Sequence, residues 1–194
     1  NQLIQKLVDL DQYDLADFIF RQLDRADIAA PIKKLITNNF YQQLKNYLKN
    51  QQWYEADQET WRLMLKVTNR EEEGYLELDH IRNFPCEDLL TLDRLWVEYS
   101  KKHGYEFGFS VQKKIYVECG GKLDFSTPSH ETWEKFCTCT AWKSEGKWVD
   151  YPEQQFFKNN SMSVKGHLPF NYGVWLGGGE VGWELFSRIK TCEV

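Results

Sequence analysis

Hydrophobic positions in the first fifty residues recur at helical spacing. Leu7, Leu10, Leu15, Phe18, Ile19 and Leu23 stand a turn or so apart, with acids and amides between them. Pro31 suits the first turn of a helix over residues 32–36. Asn38-Asn39 reads as its stop, and Asn39 as the cap of a helix over residues 40–48. These short helices predict a small bundle of antiparallel pairs, serving stability or docking. A longer helix follows from residue 53 to about 67, with Trp53, Ala56, Thr60, Trp61 and Met64 on one stripe. Glu55 and Asp57 near its start suit the helix dipole. Residues 71–74 form a polar break. A short helix from 78 to about 83 runs into Phe84-Pro85, where proline denies Phe84 the helical region. Leu89, Leu92, Leu95, Trp96 and Tyr99 then mark a helix from about 86 to 100.

Beyond a charged loop at 101–106, Ser110 reads as the cap of a helix carrying Val111, Ile115 and Tyr116, ended by Gly120-Gly121. Ser129 reads as the cap of another, with Trp133, Phe136 and Cys137 on one face. Residues 142–151 suit a short hairpin turning at Glu145-Gly146. Residues 152–170 lose periodicity, and a loop this long in a compact domain is functional or disordered. Gly177-Gly178-Gly179 leads to a last helix with Trp183, Leu185, Phe186 and Ile189. The triple glycine lacks the preceding strand and following Lys-Ser/Thr of a phosphate loop. The predicted class is all-α with at most one small hairpin. A truncated N-terminal helical bundle occupies residues 1–50, and a core domain residues 51–194.

Composition narrows the class. The chain has 194 residues and a net charge of −5, which argues against wholesale nucleic-acid binding. No apolar run approaches the ~18 residues of a membrane span. Aromatic residues reach 15%, enough to fill a core and leave rings for a flat apolar binding surface. Five cysteines without regular spacing are a poor disulfide framework and point to a reducing compartment. The chain starts at Asn1 without a Met, as a piece of a longer protein does. Lysine outnumbers arginine 17 to 7, and Asn plus Gln reach 22 against 6 Ala, as in translation from an AT-rich, plastid-like genome.

Candidate chemistry is sparse. Cys137 and Cys139 are not a CxxC pair, and the four His (80, 103, 130, 167) form no finger or HExxH pattern, so no metal site is expected. Ser110 and Ser129 read as caps. Glu71-Glu72-Glu73 read as a solvated face, and Glu87-Asp88 as dipole partners. Cys86 at a helix start has a possible depressed pKa but no neighbouring His in sequence. His167 between Gly166 and Leu168-Pro169 suits a loop-anchoring hydrogen bond better than an axial ligand. No catalytic residue is assigned.

An ordered set of blocks carries more. Glu55-Ala56-Asp57 with Thr60 and Arg62, Ile81 to Leu89 (IRNFPCEDL), Leu95-Trp96, Phe107 to Gln112 (FGFSVQ) and Gly166-His167-Leu168-Pro169 together resemble the genomes-uncoupled-four family. The resemblance spans residues 41–170. It implies an all-α core with a cupped apolar surface between two loops that closes on a tetrapyrrole. It further implies a non-catalytic regulator that binds protoporphyrin IX or magnesium protoporphyrin IX, requires no cofactor, and stimulates magnesium chelatase with that enzyme's large porphyrin-binding subunit. A monomer in a plastid stroma or cyanobacterial cytoplasm is expected, able to associate peripherally with a membrane and binding no nucleic acid.

A porphyrin is an apolar disc with two carboxylates on one edge, so it needs hydrophobic walls and cations or amides at the rim. Leu78, Ile81 and Phe84 suit one wall; Phe156, Phe157, Leu168 and Phe170, beside His167, suit the other. Arg62, at a basic position of the family, suits a carboxylate. Each has a structural alternative: Phe84 and Leu168 as core, Arg62 as partner of a nearby acid. Two departures stand out. Phe157 stands where family members have a Trp, and residues 170–176 lack an Arg found in some members, for which Lys158 or Lys165 are candidate substitutes. The alternatives are a tetrapyrrole or bilin sensor module of a signalling protein and a helical protein-interaction adaptor.

Overall fold

The structure is a computed structural model that describes residues 2–10, 12, 15–16, 19–20, 30–149, 162–170 and 182–193, with backbone alone for 30–34. Its contacts divide the chain into two units, Asn1–Asn46 and Tyr47–Val194.

In the first unit, α1 (Gln2–Asp9) buries Ile4, Leu7 and Val8, which cluster with Ala16, Phe20 and Ile36. Leu10 and Leu15, expected on the buried stripe, are exposed, because α1 ends at Asp9 and Leu10 falls in the following turn. Phe18 and Leu23 lie outside the described residues. Helix α2 (Ala30–Phe40) continues through Asn38-Asn39 rather than stopping there. Burial of Phe40 and Tyr41 favours another turn over the amides' weak preference for a stop, and Lys45 Nζ donates to Asn38 Oδ1 at 3.2 Å. Helix α3 (Gln42–Lys49) then crosses the boundary between the units.

The second unit is built on α4 (Trp53–Val67), α5 (Leu78–Arg82), α6 (Cys86–Lys102), α7 (Phe109–Glu118), α8 (His130–Cys139) and α9 (Gly182–Cys192). Its sheet is one hairpin, β1 (Lys143–Ser144) paired antiparallel with β2 (Lys147–Trp148), turning at Glu145-Gly146 with φ of 52° and 76°. The described residues thus form an all-α fold with a single two-stranded hairpin. Two aromatic clusters make the core. Trp96 is fully buried, stacks on Trp53 at 6.2 Å and donates Nε1–H to Thr60 Oγ1 at 2.9 Å. Tyr116, Phe136 and Phe186 meet with centroids 5.2–5.8 Å apart, and α9 packs against α7, α5 and α6.

Local signals explain most boundaries. Ser129 caps α8, its Oγ accepting from Thr132 N–H at 3.1 Å. A Ser129→Ala protein is expected to lose about 1 kcal/mol, read as a lower urea midpoint at unchanged slope. Ser110 is not the cap of α7. The cap position is Gly108 at φ +130°, and the Ser110 N–H is taken by Asp93 Oδ1 of α6 at 2.8 Å. A side chain on Gly108 would stand 2.7 Å from Val97 Cγ2. Burial holds the Asp93 carboxyl above its ordinary range despite that N–H. The expectation of a disulfide-free framework is also corrected, because Cys86 and Cys192 are bonded, with Cα atoms 5.2 Å apart. They stand 106 residues apart, a separation that spacing rules do not see.

Candidate functional site

Helix α4 presents two faces to the site. On its inner face Asp57, read from sequence as a dipole partner, is buried, and its Oδ1 accepts the Phe170 N–H at 2.8 Å. On its outer face an open groove of about 480 Å³ is lined by Tyr47, Tyr54, Trp61, Leu65, Glu55, Gln58, Glu59 and Arg62. Arg62 is half-exposed and doubly bonded to Glu59, with Nε and Nη2 each 2.7 Å from a carboxylate oxygen. Glu59 is nearly buried, so the pair fixes the guanidinium plane at the groove edge. Trp61, expected on the buried stripe, is only half-buried and supplies a ring to this groove.

The Gly166-His167-Leu168-Pro169-Phe170 segment is held from every side. Gly166 N–H donates to Glu106 O at 2.7 Å, Gly108 N–H to Leu168 O at 2.9 Å, and Trp142 Nε1–H to His167 O at 2.8 Å. The buried amide of Gln112 donates to Gly166 O at 3.0 Å and Pro169 O at 2.8 Å. His167 is fully buried, its Nδ1 2.9 Å from Thr140 O. Gly166 sits at φ +72°, where a Cβ would stand 2.6 Å from Ile115 Cδ1. The peptide before Pro169 is cis. These hydrogen bonds hold residues 166–170 in place.

The residues assigned to porphyrin walls fall into three groups. Ile81, Phe84, Leu168 and Phe170 are buried, with Phe170 against Trp142 at 5.1 Å. Leu78 is half-buried and Arg62 lines the α4 groove. Phe156, Phe157 and Lys158 lie outside the described residues. Lys165, a candidate for the second carboxylate, is 2.9 Å from Glu106 Oε2, which raises its ammonium pKa. The motif blocks are chiefly frame: Phe107 packs on Trp53 at 5.4 Å, and Cys86 is in the disulfide. Trp142 and the groove rings Tyr47 and Tyr54 carry no motif, and Gln112 enters only within the FGFSVQ block. Gln112 and Trp142 bond residues far along the chain, whereas the groove is lined by residues 47–65 alone.

Among the described residues, no three His, Cys, Asp or Glu side chains stand together as metal ligands. No described helix is long and apolar enough to cross a membrane. Burial pushes the Cys119 thiol up to about 11 and Cys137 to about 12, far from thiolate chemistry. Among the described residues the outer face of α4 carries an aromatic groove with a guanidinium at its edge, and the inner face holds the 166–170 segment through Asp57.

Known proteins resemble this chain in sequence and fold. Residues 36–178 match the family model described as GUN4-like. The chain is similar to the tetrapyrrole-binding protein, chloroplastic, of Arabidopsis thaliana, 28% identical over 142 residues, or 69% of this chain and 49% of that protein. It is 32% identical over 131 residues to the protein ycf53 of Porphyra purpurea, covering 66% and 49% of the two. The chain spans about half the length of these curated relatives. The ligand-free structure of Arabidopsis thaliana GUN4 superposes with a TM-score of 0.60 at 25% identity, covering 76% of this chain and 94% of that one. The structure of GUN4 from Chlamydomonas reinhardtii gives 0.59 at 22%, covering 86% and 94%, a likeness of fold. With the family model spanning most of both the anchored segment and the helices that hold it, the chain belongs to the GUN4-like family.

Proposed function

We propose that the chain binds a tetrapyrrole without transforming it and stimulates magnesium chelatase by acting with that enzyme's large porphyrin-binding subunit, inside a plastid. Protoporphyrin IX and its magnesium complex are the proposed ligands. The observation that carries the reading is the α4 groove, in a chain whose family includes a chloroplast tetrapyrrole-binding protein. Tyr47, Tyr54, Trp61 and Leu65 offer the flat apolar walls that a rigid disc needs, and Arg62 offers a fixed cation for an edge carboxylate. The proposed second wall is Leu78 with Phe156 and Phe157. Ile81, Phe84, His167, Leu168 and Phe170 act as its buried floor and anchor rather than as exposed contact surface.

Tryptophan fluorescence during titration with deuteroporphyrin, with and without ring magnesium, tests this directly. Saturable one-to-one quenching is expected. Arg62→Ala should weaken binding about tenfold, the loss of roughly one charge-assisted hydrogen bond to a carboxylate. Leu78→Asp should weaken it through the other wall. Loss with Leu78→Asp but not with Arg62→Ala or Trp61→Ala would move the disc off α4 to the loop face. Absence of saturable quenching in the wild type would remove the tetrapyrrole reading. With purified chelatase subunits, added wild-type protein should raise the initial rate of magnesium insertion, and Arg62→Ala should need more porphyrin for the same rise.

A further inference from the structure

Three rungs join α9 to the stretch of chain that leads from α5 into α6. At the first, Arg82 Nε and Nη2 donate to the two carboxylate oxygens of Glu184 at 2.9 and 2.8 Å. At the second, Arg188 Nε donates to the Phe84 carbonyl at 2.9 Å. At the third, Cys192 is bonded to Cys86. On α9 the rungs stand at positions 184, 188 and 192, one face of a helix with a rise of about 12 Å from end to end. On the facing chain they stand at 82, 84 and 86: the last residue of α5, the residue after its turn, and the first residue of α6. Successive turns of α9 thus meet successive points of the α5–α6 connection, and the third rung is covalent.

The ladder holds an arm whose backbone has little regular structure of its own, although Ile81 and Phe84 are buried beneath it. Helix α5 has five residues, far below the length at which a helix persists unaided. Its start is tied locally by Glu77 and His80. Its end and the Phe84-Pro85 turn are tied by α9. Cys86 is half-buried at the first turn of α6, and Cys192, the last residue of α9, is buried.

We propose that the Cys86–Cys192 bond is a thiol–disulfide exchange site for a dithiol reductant, and that its reduction loosens residues 78–84 from α9 while the rest of the 47–194 unit stays folded. The reductant's thiolate attacks Cys86 Sγ, the more accessible residue of the pair. Cys192 leaves as a thiolate and takes up a proton. The reductant's second thiol, deprotonated, then attacks its own sulfur in the mixed disulfide. Cys86 leaves as a thiolate at the amino end of α6, where the helix dipole favours it, before it too is protonated. Two electrons and two protons pass to the protein, and the reductant becomes a disulfide. Two rungs then remain, one of them on a guanidinium open to water. The inference concerns the arm itself and stands whatever the arm binds.

The test compares oxidised and reduced wild-type protein. Native protein is held in dithiothreitol, alkylated and mapped by mass spectrometry, and amide exchange is followed on matched samples. Alkylation of Cys86 and Cys192 at unchanged far-ultraviolet dichroism is expected. Cys139 is exposed and labels in both states, whereas Cys119 and Cys137 are buried. Exchange of the amides at 79–84 should accelerate at least about tenfold in the reduced protein, with those of α4 changed less than about twofold. The Cys192→Ser protein should show the reduced pattern without any reductant. If that variant does not fold, the reduced wild type carries the comparison. A bond that resists dithiothreitol until denaturant unfolds the chain overturns the proposal. So does exchange at 79–84 that is equal in the two states, or acceleration spread evenly over the unit.

Discussion

Chemical denaturation of a Cys86→Ser/Cys192→Ser protein should give an unfolding free energy about 4–5 kcal/mol below that of the wild type. The bond closes a loop of 106 residues, most of the second unit, and its main effect is to remove conformations from the unfolded chain. In the native state the loss is confined to the 78–84 arm, because Arg82–Glu184 and Arg188–Phe84 remain to keep it near α9. The denaturant slope should rise, since an uncrosslinked chain exposes more surface on unfolding. Cys139→Ser is the control. That thiol is exposed and in no disulfide, and its replacement should change stability by less than about 0.5 kcal/mol. A double variant equally close to wild type would mean that the two sulfurs are not joined in solution.

The helices were legible because their signals are local. The stripes of α4 and α6 repeat over four and nearly five turns, and Trp53 and Trp96 mark the faces that meet. The hairpin was legible from Glu145-Gly146, which supplies the two left-handed positions of a tight turn. Caps were legible where the capping group is the helix's own, as at Ser129. They failed where it comes from elsewhere: Asp93 of α6 accepts the Ser110 amide, 17 residues away.

The site was legible in a different sense. The blocks that point to the family, FPCED, FGFSVQ and GHLP, contain mostly frame. Phe84, Phe107 and His167 are fully buried, and Cys86 is cross-linked. A frame residue must fit several neighbours at once, so its identity is tightly constrained and easy to recognise. A wall residue needs only to be flat and apolar, so Tyr47, Tyr54 and Trp61, although spaced seven apart, do not stand out from an ordinary helical stripe. Asp57 reaches Phe170 across 113 residues, and no periodicity encodes a partner at that distance.

Gln112 shows how much such a frame residue can hold. Its amide is buried and donates to two carbonyls, Gly166 O and Pro169 O, that bracket the anchored segment. Gln112→Leu keeps the bulk and removes both donors. Each carbonyl left without a partner away from water costs about 1–3 kcal/mol, so a loss of about 3 kcal/mol in unfolding free energy is expected. The segment would stay near its place through Gly108 N–H, Trp142 and Asp57, but with a looser path. Gln112→Glu separates donor loss from shape. An ionised carboxylate there is acceptor-only and faces two carbonyl oxygens, so at pH 8 this variant should be less stable than Gln112→Leu. Burial and those oxygens both raise the folded-state pKa of the new carboxyl above its unfolded value. The native state then binds the proton more tightly than the unfolded chain. Stability should therefore recover as pH falls through the folded pKa toward the ordinary carboxylate range, where the protonated oxygen donates to one carbonyl again. A Gln112→Leu protein as stable as wild type, or a Gln112→Glu protein whose stability relative to wild type is flat with pH, would show that the anchored segment does not depend on this amide.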